Sequence, residues 1–349
     1  MGENEGKHEA KNSRAERWRQ KMKIQSGLMP DHEDIEFKPD FIERYKRLTD
    51  FGQFRKYSLS FPRKSIRVNT LKMTADEVRK RLEKEWRLEQ IPWCREGFWI
   101  EHKGEGENKR RDVGNLIEHA LGYIYVQDAA SMIPPMVLGP QTGEKVLDIA
   151  AAPGSKTTQI AQMMKNKGII VANDISADRL ASLGINLQRM GVMNTVINKA
   201  KGHLIKETGF DRILVDAPCS ATGTIRRSIK TLQMWNPNIA RRLAGEQKRL
   251  LQHAFRLLKQ GGTIVYSTCT MEPEEDEGVI DWLLSNNENA ELEDIDIKGL
   301  KRSEAVTGFN GKEYDKEVRK CLRIWPQDND TEGFFITKIK KLKERSEAD

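Results

Sequence analysis

The stretch "EKVLDIAAAPGSKTTQIAQ" at residues 144–162 combines a short apolar run, a turn of small residues and the start of a helix. Its apolar run is continuous rather than alternating, which is typical of a strand buried on both faces of a parallel sheet. Helical segments separate this run from most of the others of its kind, and strands that alternate with helices predict an α/β fold with a doubly wound parallel sheet. The other runs are "GIIVAND" (168–174), "NTVINKA" (194–200), "DRILVDA" (211–217) and "GGTIVYST" (261–268).

Upstream of this sheet, the sequence predicts a small α+β module. "KSIRVNTLK" (64–72) and "GFWIEH" (97–102) have the composition of strands. Between them, "TADEVRKRLEKE" (74–85) predicts a helix in which Thr74 and Glu77 form a capping box. After residue 141 the pattern changes to continuous apolar runs separated by helices. We therefore place a domain boundary between the small module and this later part.

The predicted domain organisation has four parts. They are a polar, mobile N-terminal extension (1–35), the small α+β module (36–125), a Rossmann-like domain (126–342) and a charged tail (343–349). At the end of the Rossmann-like domain, "KCLRIWP" and "EGFFITKIKKL" predict two strands at an antiparallel edge of the sheet.

Composition excludes several classes of protein. No run approaches the ~18–20 apolar residues that span a bilayer, and the N-terminus lacks the apolar core of a signal peptide, so we expect a cytoplasmic protein without a membrane partner. The four cysteines, at 94, 219, 269 and 321, form no CxxC pair and no cluster with histidine. We therefore expect neither a disulfide framework nor a metal site, and two reactive thiols remain possible.

The basic residues are unevenly distributed. The formal charge is +7, from 59 basic and 52 acidic residues, but residues 41–90 hold 14 Lys and Arg against 7 Asp and Glu. Such clustering favours a polyanionic partner. The alternative is a solvated helical surface.

The carboxyl ends of the parallel strands predict a nucleoside site, because ligands of open α/β sheets bind there. Ala150, Ala151, Ala152 and Gly154 follow the first strand and let the backbone approach a ligand, while the next helix presents its N-terminal amides. The loop is neither a P-loop nor GxGxxG. The second strand ends in "VANDIS", where Asp174 is a candidate for holding ribose hydroxyls or, alternatively, for capping the next helix. An adenosine ligand with little phosphate, such as S-adenosylmethionine, fits this pattern.

Four motifs together carry a specific resemblance. "LDIAAAPGSKTTQ", "DAPCSATGTIRR", "YSTCTMEPEEDEGVI" and "RIWPQDNDTEGFFITKI", in this order, resemble the RNA cytosine-C5 methyltransferases of the NOL1/NOP2/Sun family. The similarity runs from about residue 66 to the C-terminus. It implies a Rossmann-like methyltransferase domain, S-adenosylmethionine as cofactor, tRNA or rRNA as substrate, and an RNA-recognition role for the small N-terminal module.

The resemblance also implies roles for single residues. Cys269 would be the nucleophile and Cys219 the residue that helps to release the product. Where the family usually has Asp-Gly after the third strand, this chain has "AKG", and we assign no adenine contact to Lys201. The implied cofactor-binding residues are Ala150, Ala151, Ala152, Pro153, Gly154, Ser155, Lys156, Asp174, Arg179 and Asp216.

Methylation at cytosine C5 explains why two cysteines would be needed. C5 is a poor nucleophile until a thiolate adds to C6, which calls for covalent catalysis. Cys269 follows a strand and precedes a helix, a position that favours a reactive thiolate, and the acidic run 272–277 is expected to face outward. Cys219, on the neighbouring strand end, could take the C5 proton directly or through water. The alternative is a pair of buried structural cysteines.

Two further residues complete the predicted catalytic set. Addition of the thiolate places negative charge on N3 and O2 of the ring, so a group must protonate or hydrogen-bond that edge. Asp216, two residues before Pro218-Cys219, is placed for this task, and Lys156 is expected near the base or the nucleophile.

Phosphate contacts are predicted in two places. Arg63, Lys64 and Arg67 lie in the basic segment, and Arg226 and Arg227 follow the Pro-Cys motif. Such contacts would position the RNA without reading its sequence. The second pair could instead cap a surface helix.

Two other functions are weighed against this prediction. An amino-group methyltransferase would carry Asp/Asn-Pro-Pro-aromatic at the fourth strand, where this chain has "DAPC". A binding protein on a disused methyltransferase fold would show loss of Cys269 or a broken "AAPGSK" loop, and both are intact. We therefore expect a monomeric RNA cytosine-C5 methyltransferase.

Overall fold

The structure is a computed structural model that describes residues 27–29, 31–104, 106, 110 and 112–343. Most of the predicted N-terminal extension and nearly all of the predicted tail lie outside these residues. The four-part domain division stays a prediction.

The first sheet is small and antiparallel. Its strands are β1 (Ser65–Val68), β2 (Trp86–Gln90), β3 (Gly97–His102) and β4 (Ile124–Val126), in the order β2-β3-β1-β4. The helix between β1 and β2 spans Ala75–Leu82 and begins with the predicted capping box, in which Thr74 and Glu77 exchange hydrogen bonds. Its buried side chains, Val78 and Leu82, pack with apolar residues of the sheet such as Ile66 and Phe98.

The second sheet carries the alternating pattern predicted from the sequence. Strands β5 (Lys145–Asp148), β6 (Ile169–Asp174), β7 (Thr195–Lys199), β8 (Phe210–Asp216) and β9 (Leu258–Thr268) are parallel, in the order β9-β8-β5-β6-β7. Their burial on both faces explains the continuous apolar runs, and Val146, Leu147, Ile213 and Leu214 are all fully buried. The predicted Rossmann-like α/β fold is therefore present.

The C-terminal strands close one side of this sheet. β13 (Leu322–Ile324) and β14 (Phe334–Lys341) are antiparallel to each other, as predicted, and β14 is antiparallel to β9. On the side of β14 that faces away from β9, β13 pairs with residues 334–336 and β10 (Ala290–Glu293) pairs with residues 338–341, so the predicted antiparallel edge is present and also includes β10. The short β11 (Gly308–Phe309) and β12 (Lys312–Glu313) form a separate hairpin.

Eleven α-helices accompany these strands in the described part of the chain. We number them α1 (Pro39–Lys46), α2 (Phe51–Ser58), α3 (Ala75–Leu82), α4 (Ile117–Ala120), α5 (Ile133–Leu138), α6 (Ser155–Met163), α7 (Ala177–Met190), α8 (Lys230–Met234), α9 (Pro237–Leu257), α10 (Glu277–Asn286) and α11 (Pro326–Asn329). None of the helices within the described ranges is both long and apolar enough to cross a membrane.

Helices α1 and α2 pack against the large-sheet part of the molecule rather than against the small sheet. Phe41 of α1 stacks on Tyr45 and meets Trp235 edge-on, at ring-centroid distances of 3.9 and 5.0 Å. Phe54 of α2 meets Trp325 edge-on at 5.6 Å. Aromatic burial of this kind ties the N-terminal helices to the region that follows Cys269.

Arg67 joins the small sheet to the start of α6, and its predicted role as a phosphate contact is wrong. The side chain is fully buried, and its guanidinium donates to Gln127 Oε1 (2.9 Å), Thr158 Oγ1 (2.8 Å) and Gln162 Oε1. Burial lowers the pKa of Arg67 to about 10. A guanidinium enclosed in this way holds α6 in place and has no open side for RNA.

Candidate active site

The two predicted catalytic cysteines lie together at the carboxyl ends of β8 and β9. These strands are parallel neighbours, with Asp216 opposite Ser267, so the loops that follow them leave the sheet at the same edge. The sulfur atoms of Cys219 and Cys269 are 3.3 Å apart, and both residues are partly exposed. The two thiols therefore lie together, as the sequence predicts, whereas the cleft between them and their separate roles stay predictions.

The other two cysteines have a different environment. Cys94 and Cys321 are buried, and burial raises the pKa of Cys94 to about 11 and that of Cys321 further. Cys321 donates its S–H to Thr337 Oγ1 at 3.4 Å. These are structural thiols, which leaves the Cys219–Cys269 pair as the reactive candidates.

Cys219 is the thiol that holds its proton more tightly. The contact with Cys269 and then burial raise the pKa of Cys219 well above its usual value, and the charge of Glu275 raises it further. Cys219 can therefore serve as the S–H donor and Cys269 as the acceptor in this contact. In that arrangement the sulfur of Cys269 accepts a hydrogen bond, which suits the predicted nucleophile.

Lys156 and Asp216 form an ion pair beside the thiols. Lys156 Nζ donates to Asp216 Oδ2 at 2.7 Å, and the other carboxylate oxygen accepts from Ser267 Oγ at 2.8 Å. Burial lowers the pKa of Lys156, but attraction to Asp216, then to Cys269 and Asp148, outweighs it and leaves this pKa above its usual value. Lys156 therefore brings a positive charge to the site in which Cys269 lies.

The acidic run after Cys269 is buried, and the prediction that its carboxylates face outward is wrong. Arg323 binds Asp276 at 3.0 Å and Glu277 at 2.6 Å, and all three side chains are fully buried. Buried Glu272 accepts from Tyr45 and Trp235, each at 2.8 Å, and pairs with Arg44. Glu275 is buried as well, and burial raises its pKa to about 7. Buried charges require such partners, and these lie far away in sequence.

The loop between β5 and α6 forms a close-fitting turn at the same edge of the sheet. Gly154 has φ +105°, and a Cβ there would lie 2.8 Å from Leu183 Cδ1, so only glycine fits. Asp174 is buried and accepts from Ser176 N (3.0 Å) and Ala152 N (3.3 Å). Arg179 pairs with Asp174 at 3.1 Å and also donates to Ala152 O. The structure thus brings the predicted cofactor residues of the loop and of β6 into contact.

Asp148 belongs to this site and was missed in the sequence interpretation. It ends β5 and accepts from Thr157 Oγ1 at 2.7 Å, while its Oδ1 is buried without a hydrogen-bond partner. Burial raises its pKa to about 7. The available signal was that three strands end in aspartate, Asp148, Asp174 and Asp216. An unpartnered buried acceptor beside a turn of small residues fits a polar ligand at this edge.

Two family models match the chain. The model described as 16S rRNA methyltransferase RsmB/F covers residues 135–340, and the model of the N-terminal domain of 16S rRNA methyltransferase RsmF covers residues 37–129. The chain belongs to the RsmB/F methyltransferase family. The predicted resemblance, enzyme class and cofactor, S-adenosylmethionine, are confirmed with it.

Individual relatives agree with the family assignment. The chain is 47% identical to the tRNA (cytosine(49)-C(5))-methyltransferase of Pyrococcus abyssi, over 86% of this chain and 95% of that protein. It is 39% identical to the ribosomal RNA small subunit methyltransferase F of Shewanella oneidensis, over 80% of this chain but only 58% of that protein. The chain therefore spans little more than half the length of this second relative.

Solved structures share the fold. A methyltransferase homolog protein from Pyrococcus horikoshii has a TM-score of 0.72 and 35% identity, over 87% of this chain and 100% of that chain. NSun6 from the same organism, determined with SFG, has a TM-score of 0.76 over 89% of this chain and 100% of its own. Its 24% identity supports the fold alone. The Rossmann-like methyltransferase fold is confirmed by these neighbours.

Arg226, which the sequence interpretation placed on an RNA phosphate, is a buried link in this RsmB/F-family chain. Its guanidinium donates to Phe61 O (2.9 Å), Thr331 O (3.0 Å) and Asp330 Oδ1 (2.8 Å). Only 2% of the residue is exposed, so the predicted phosphate contact is wrong. Arg226 instead fastens the segment before β1 to the loop before β14.

The other predicted RNA contacts remain accessible. Lys64 is exposed, and the side chain of Arg227 is 69% exposed while it pairs with Glu332 at 3.1 Å. Arg63 lies over the Trp99 ring, 4.0 Å from its centroid, and pairs with Glu89. Within the described residues, no group of three or more His, Cys, Asp or Glu side chains could hold a metal ion.

Proposed function

We propose that this chain transfers a methyl group from S-adenosylmethionine to C5 of cytosine in RNA, through a covalent bond between Cys269 and C6 of the base. The observation that carries the proposal is the 3.3 Å separation of Cys219 and Cys269 at adjacent strand ends. Two thiols and a lysine–aspartate pair at one edge of the sheet suit covalent addition followed by base-assisted elimination.

The first step is addition of the Cys269 thiolate to C6. The C6–S bond forms, the C5–C6 double bond opens, and negative charge develops on the N3 and O2 edge of the ring. Lys156 and Asp216, held together at 2.7 Å, give that edge a proton or a hydrogen bond. C5 then becomes nucleophilic, as it is in an enamine.

The cofactor would lie against the turn Ala150–Lys156 and against Asp174, Arg179 and Asp216. When bound, it supplies an electrophilic methyl group. The protein contributes the shape of the turn, which Gly154 permits, and the carboxylates at the ends of β5, β6 and β8.

Release of the product requires removal of the proton from C5. Once the Cys269 sulfur is bonded to C6, its contact no longer holds the proton on Cys219, and that proton passes to solvent. The Cys219 thiolate then accepts the C5 proton directly or through a water molecule. The C5–C6 double bond re-forms, the C6–S bond breaks, and Cys269 leaves as thiolate. Cys219 lies beside the sulfur of Cys269 and therefore beside the carbon that this sulfur would attack.

The substrate class is tRNA or rRNA, and tRNA is the class to test first. The Pyrococcus abyssi relative, named for a tRNA cytosine, matches this chain over 95% of its length, whereas the rRNA-named relative does so over 58%. Neither match shows which cytosine of the RNA this chain methylates. A monomeric state and a cytoplasmic location stay predictions.

The proposed reaction can be tested with purified protein. Incubation with S-adenosylmethionine and unmodified tRNA or 16S rRNA transcripts should leave cytosines that resist bisulfite conversion, and only when the cofactor is present. Nuclease digestion and chromatography should identify the product as 5-methylcytidine. A product that elutes as N4-methylcytidine would instead support the amino-group reaction.

The accessible basic residues predict the salt dependence of RNA binding. Reversing the charge of Lys64 and Arg227 together should lower the magnitude of the log–log salt slope by about 1.4, because each phosphate contact of a single strand contributes about 0.7. Binding should weaken for all RNAs alike, since phosphate contacts carry no sequence information. Filter binding at several salt concentrations measures the slope.

A matched control is available at the opposite edge of the sheet. Lys167 is exposed and lies just beyond the C-terminal end of α6, so Lys167→Glu changes charge far from the strand ends that carry the cysteines. This variant should keep a slope close to that of the parent. Equal slopes for the parent and the double variant would mean that Lys64 and Arg227 are only solvated surface residues.

A further inference from the structure

Glu275 holds the loop that carries Cys219, although it lies in the segment after Cys269. Its carboxylate accepts from the backbone N–H of Ser220 at 3.0 Å and also from the Ser220 hydroxyl. Glu275 is fully buried, and Tyr266 donates to its backbone carbonyl at 2.6 Å. The residue is therefore fixed at both its main chain and its side chain.

Gln247 holds the other side of the same cysteine. Its Nε2 group donates to Pro218 O at 2.9 Å and to Glu275 Oε2 at 2.8 Å. Gln247 lies in the middle of α9 and is 1% exposed. The residue before Cys219 and the residue after it are thus bound by two side chains that also bind each other. We call Gln247 and Glu275 the Cys219 clamp.

The clamp bears on Cys219 more directly than on Cys269. Cys269 follows the last residue of β9, and its segment has bonds that the clamp does not make: Gly223 N donates to Cys269 O at 3.0 Å, and Met271 N donates to Thr222 Oγ1 at 2.9 Å. Thr270 also links the two loops, since its Oγ1 lies 2.7 Å from Ser220 Oγ and 3.0 Å from Thr222 Oγ1. Its contact with Glu275 Oε1 is 3.4 Å, longer than the 3.0 Å between Glu275 and Ser220 N. Loosening the clamp should consequently displace the Cys219 thiol while the nucleophile keeps its place.

We propose that Glu275 and Gln247 are positioning residues for product release: they hold Cys219 where it can take the C5 proton, and they touch neither substrate nor cofactor. This inference rests on the proposed covalent mechanism and on the role of Cys219 in it. It predicts a separation of rates, since formation of the Cys269 adduct does not need Cys219, whereas its breakdown does.

The experiment compares Gln247→Met and Glu275→Gln with the parent enzyme in single turnovers with a tRNA substrate and S-adenosylmethionine. Quenched samples on denaturing gels give the rates at which the covalent adduct forms and decays. Decay should slow by about 10- to 100-fold, the order of effect expected when a reacting group is displaced by about an ångström. Formation should stay within about threefold of the parent.

Gln252→Met is the matched control. Gln252 lies on the same helix and exchanges hydrogen bonds with Asn287 at 2.8 and 2.9 Å, away from the Cys219 loop. The Gln252→Met variant also loses a side-chain amide, and it should leave the rates of adduct formation and adduct decay unchanged. If Gln247→Met does not fold, Ser220→Ala removes one clamp bond at a partly exposed position and should still slow decay.

The outcomes separate this inference from the reaction on which it rests. Equal slowing of formation and decay in the clamp variants, or decay at the parental rate, would overturn the positioning role. Cys219→Ala serves as the reference for stalled release. If that reference variant accumulates no adduct, the proposed covalent mechanism itself is wrong.

Discussion

Replacing Cys269 with alanine is expected to reduce methylation by about 10³-fold or more, because the proposed reaction has no other way to activate C5. The affinity for S-adenosylmethionine should not change, since Cys269 is not among the predicted cofactor residues, which lie in the stretch 150–156, at the ends of β6 and β8 and at Arg179 of α7. Radiolabelled methyl transfer measures the first effect, and titration calorimetry measures the second.

Replacing Cys219 with alanine should give a different result, a covalent protein–RNA complex that survives denaturation. Of the two thiols, only that of Cys269 is needed for addition at C6, so the adduct forms and accepts the methyl group, but the C5 proton is not removed. A denaturing gel with labelled RNA should show a shifted band for this variant and none for Cys269→Ala. The opposite pattern of bands would reverse the roles of the two cysteines.

Cys94→Ala provides the control for removal of a thiol. Cys94 is buried in the core formed with Trp93 and Trp99, and burial raises its pKa to about 11. Its replacement should lower stability slightly, leave the rate of methylation unchanged and give no shifted band. A thiol-specific reagent should likewise label the partly exposed Cys219 and Cys269 faster than the buried Cys94.

The parts of the site that the sequence predicts correctly depend on local pattern and on topology. Continuous apolar runs identify β5, β8 and β9, and parallel neighbours must bring the residues after their carboxyl ends to one edge. The juxtaposition of Cys219 and Cys269 follows from this rule alone. So does the position of Asp216 near both thiols, although the rule applies equally to Asp148, which was overlooked.

The burial of charged residues could not be predicted from local sequence pattern and topology. Arg67, Arg226 and the acidic run 272–277 have the composition of solvated surface, yet the two arginines and most of the run are buried. Burying a charge is costly unless a partner compensates it. Those partners come from distant parts of the chain, as with Arg44 and Glu272, and local sequence does not contain them.

The same distant pairing explains why the active-site loops are well held. Glu272 accepts from Tyr45 of α1, and Arg226 binds the carbonyl of Phe61, so the N-terminal segment braces both sides of the Cys269 region. Arg67 and Arg226, which the sequence suggests as RNA contacts, instead make hydrogen bonds inside the protein. The surface left for RNA is smaller than the basic composition of residues 41–90 suggests.

Asp216→Asn is expected to slow both adduct formation and methyl transfer by about 10²- to 10⁴-fold, the usual contribution of a positioned proton-transfer group. Asparagine keeps the shape of the side chain but removes the negative charge that faces Lys156 Nζ at 2.7 Å. The pair then no longer exchanges a proton with the N3 edge of the base. Rates are measured in single turnovers at saturating S-adenosylmethionine, since Asp216 is also predicted to border the cofactor. Asp211→Asn, on the same strand and paired with Lys259 at 2.7 Å, should leave both rates unchanged, and an Asp216→Asn variant as fast as this control would exclude Asp216 from catalysis.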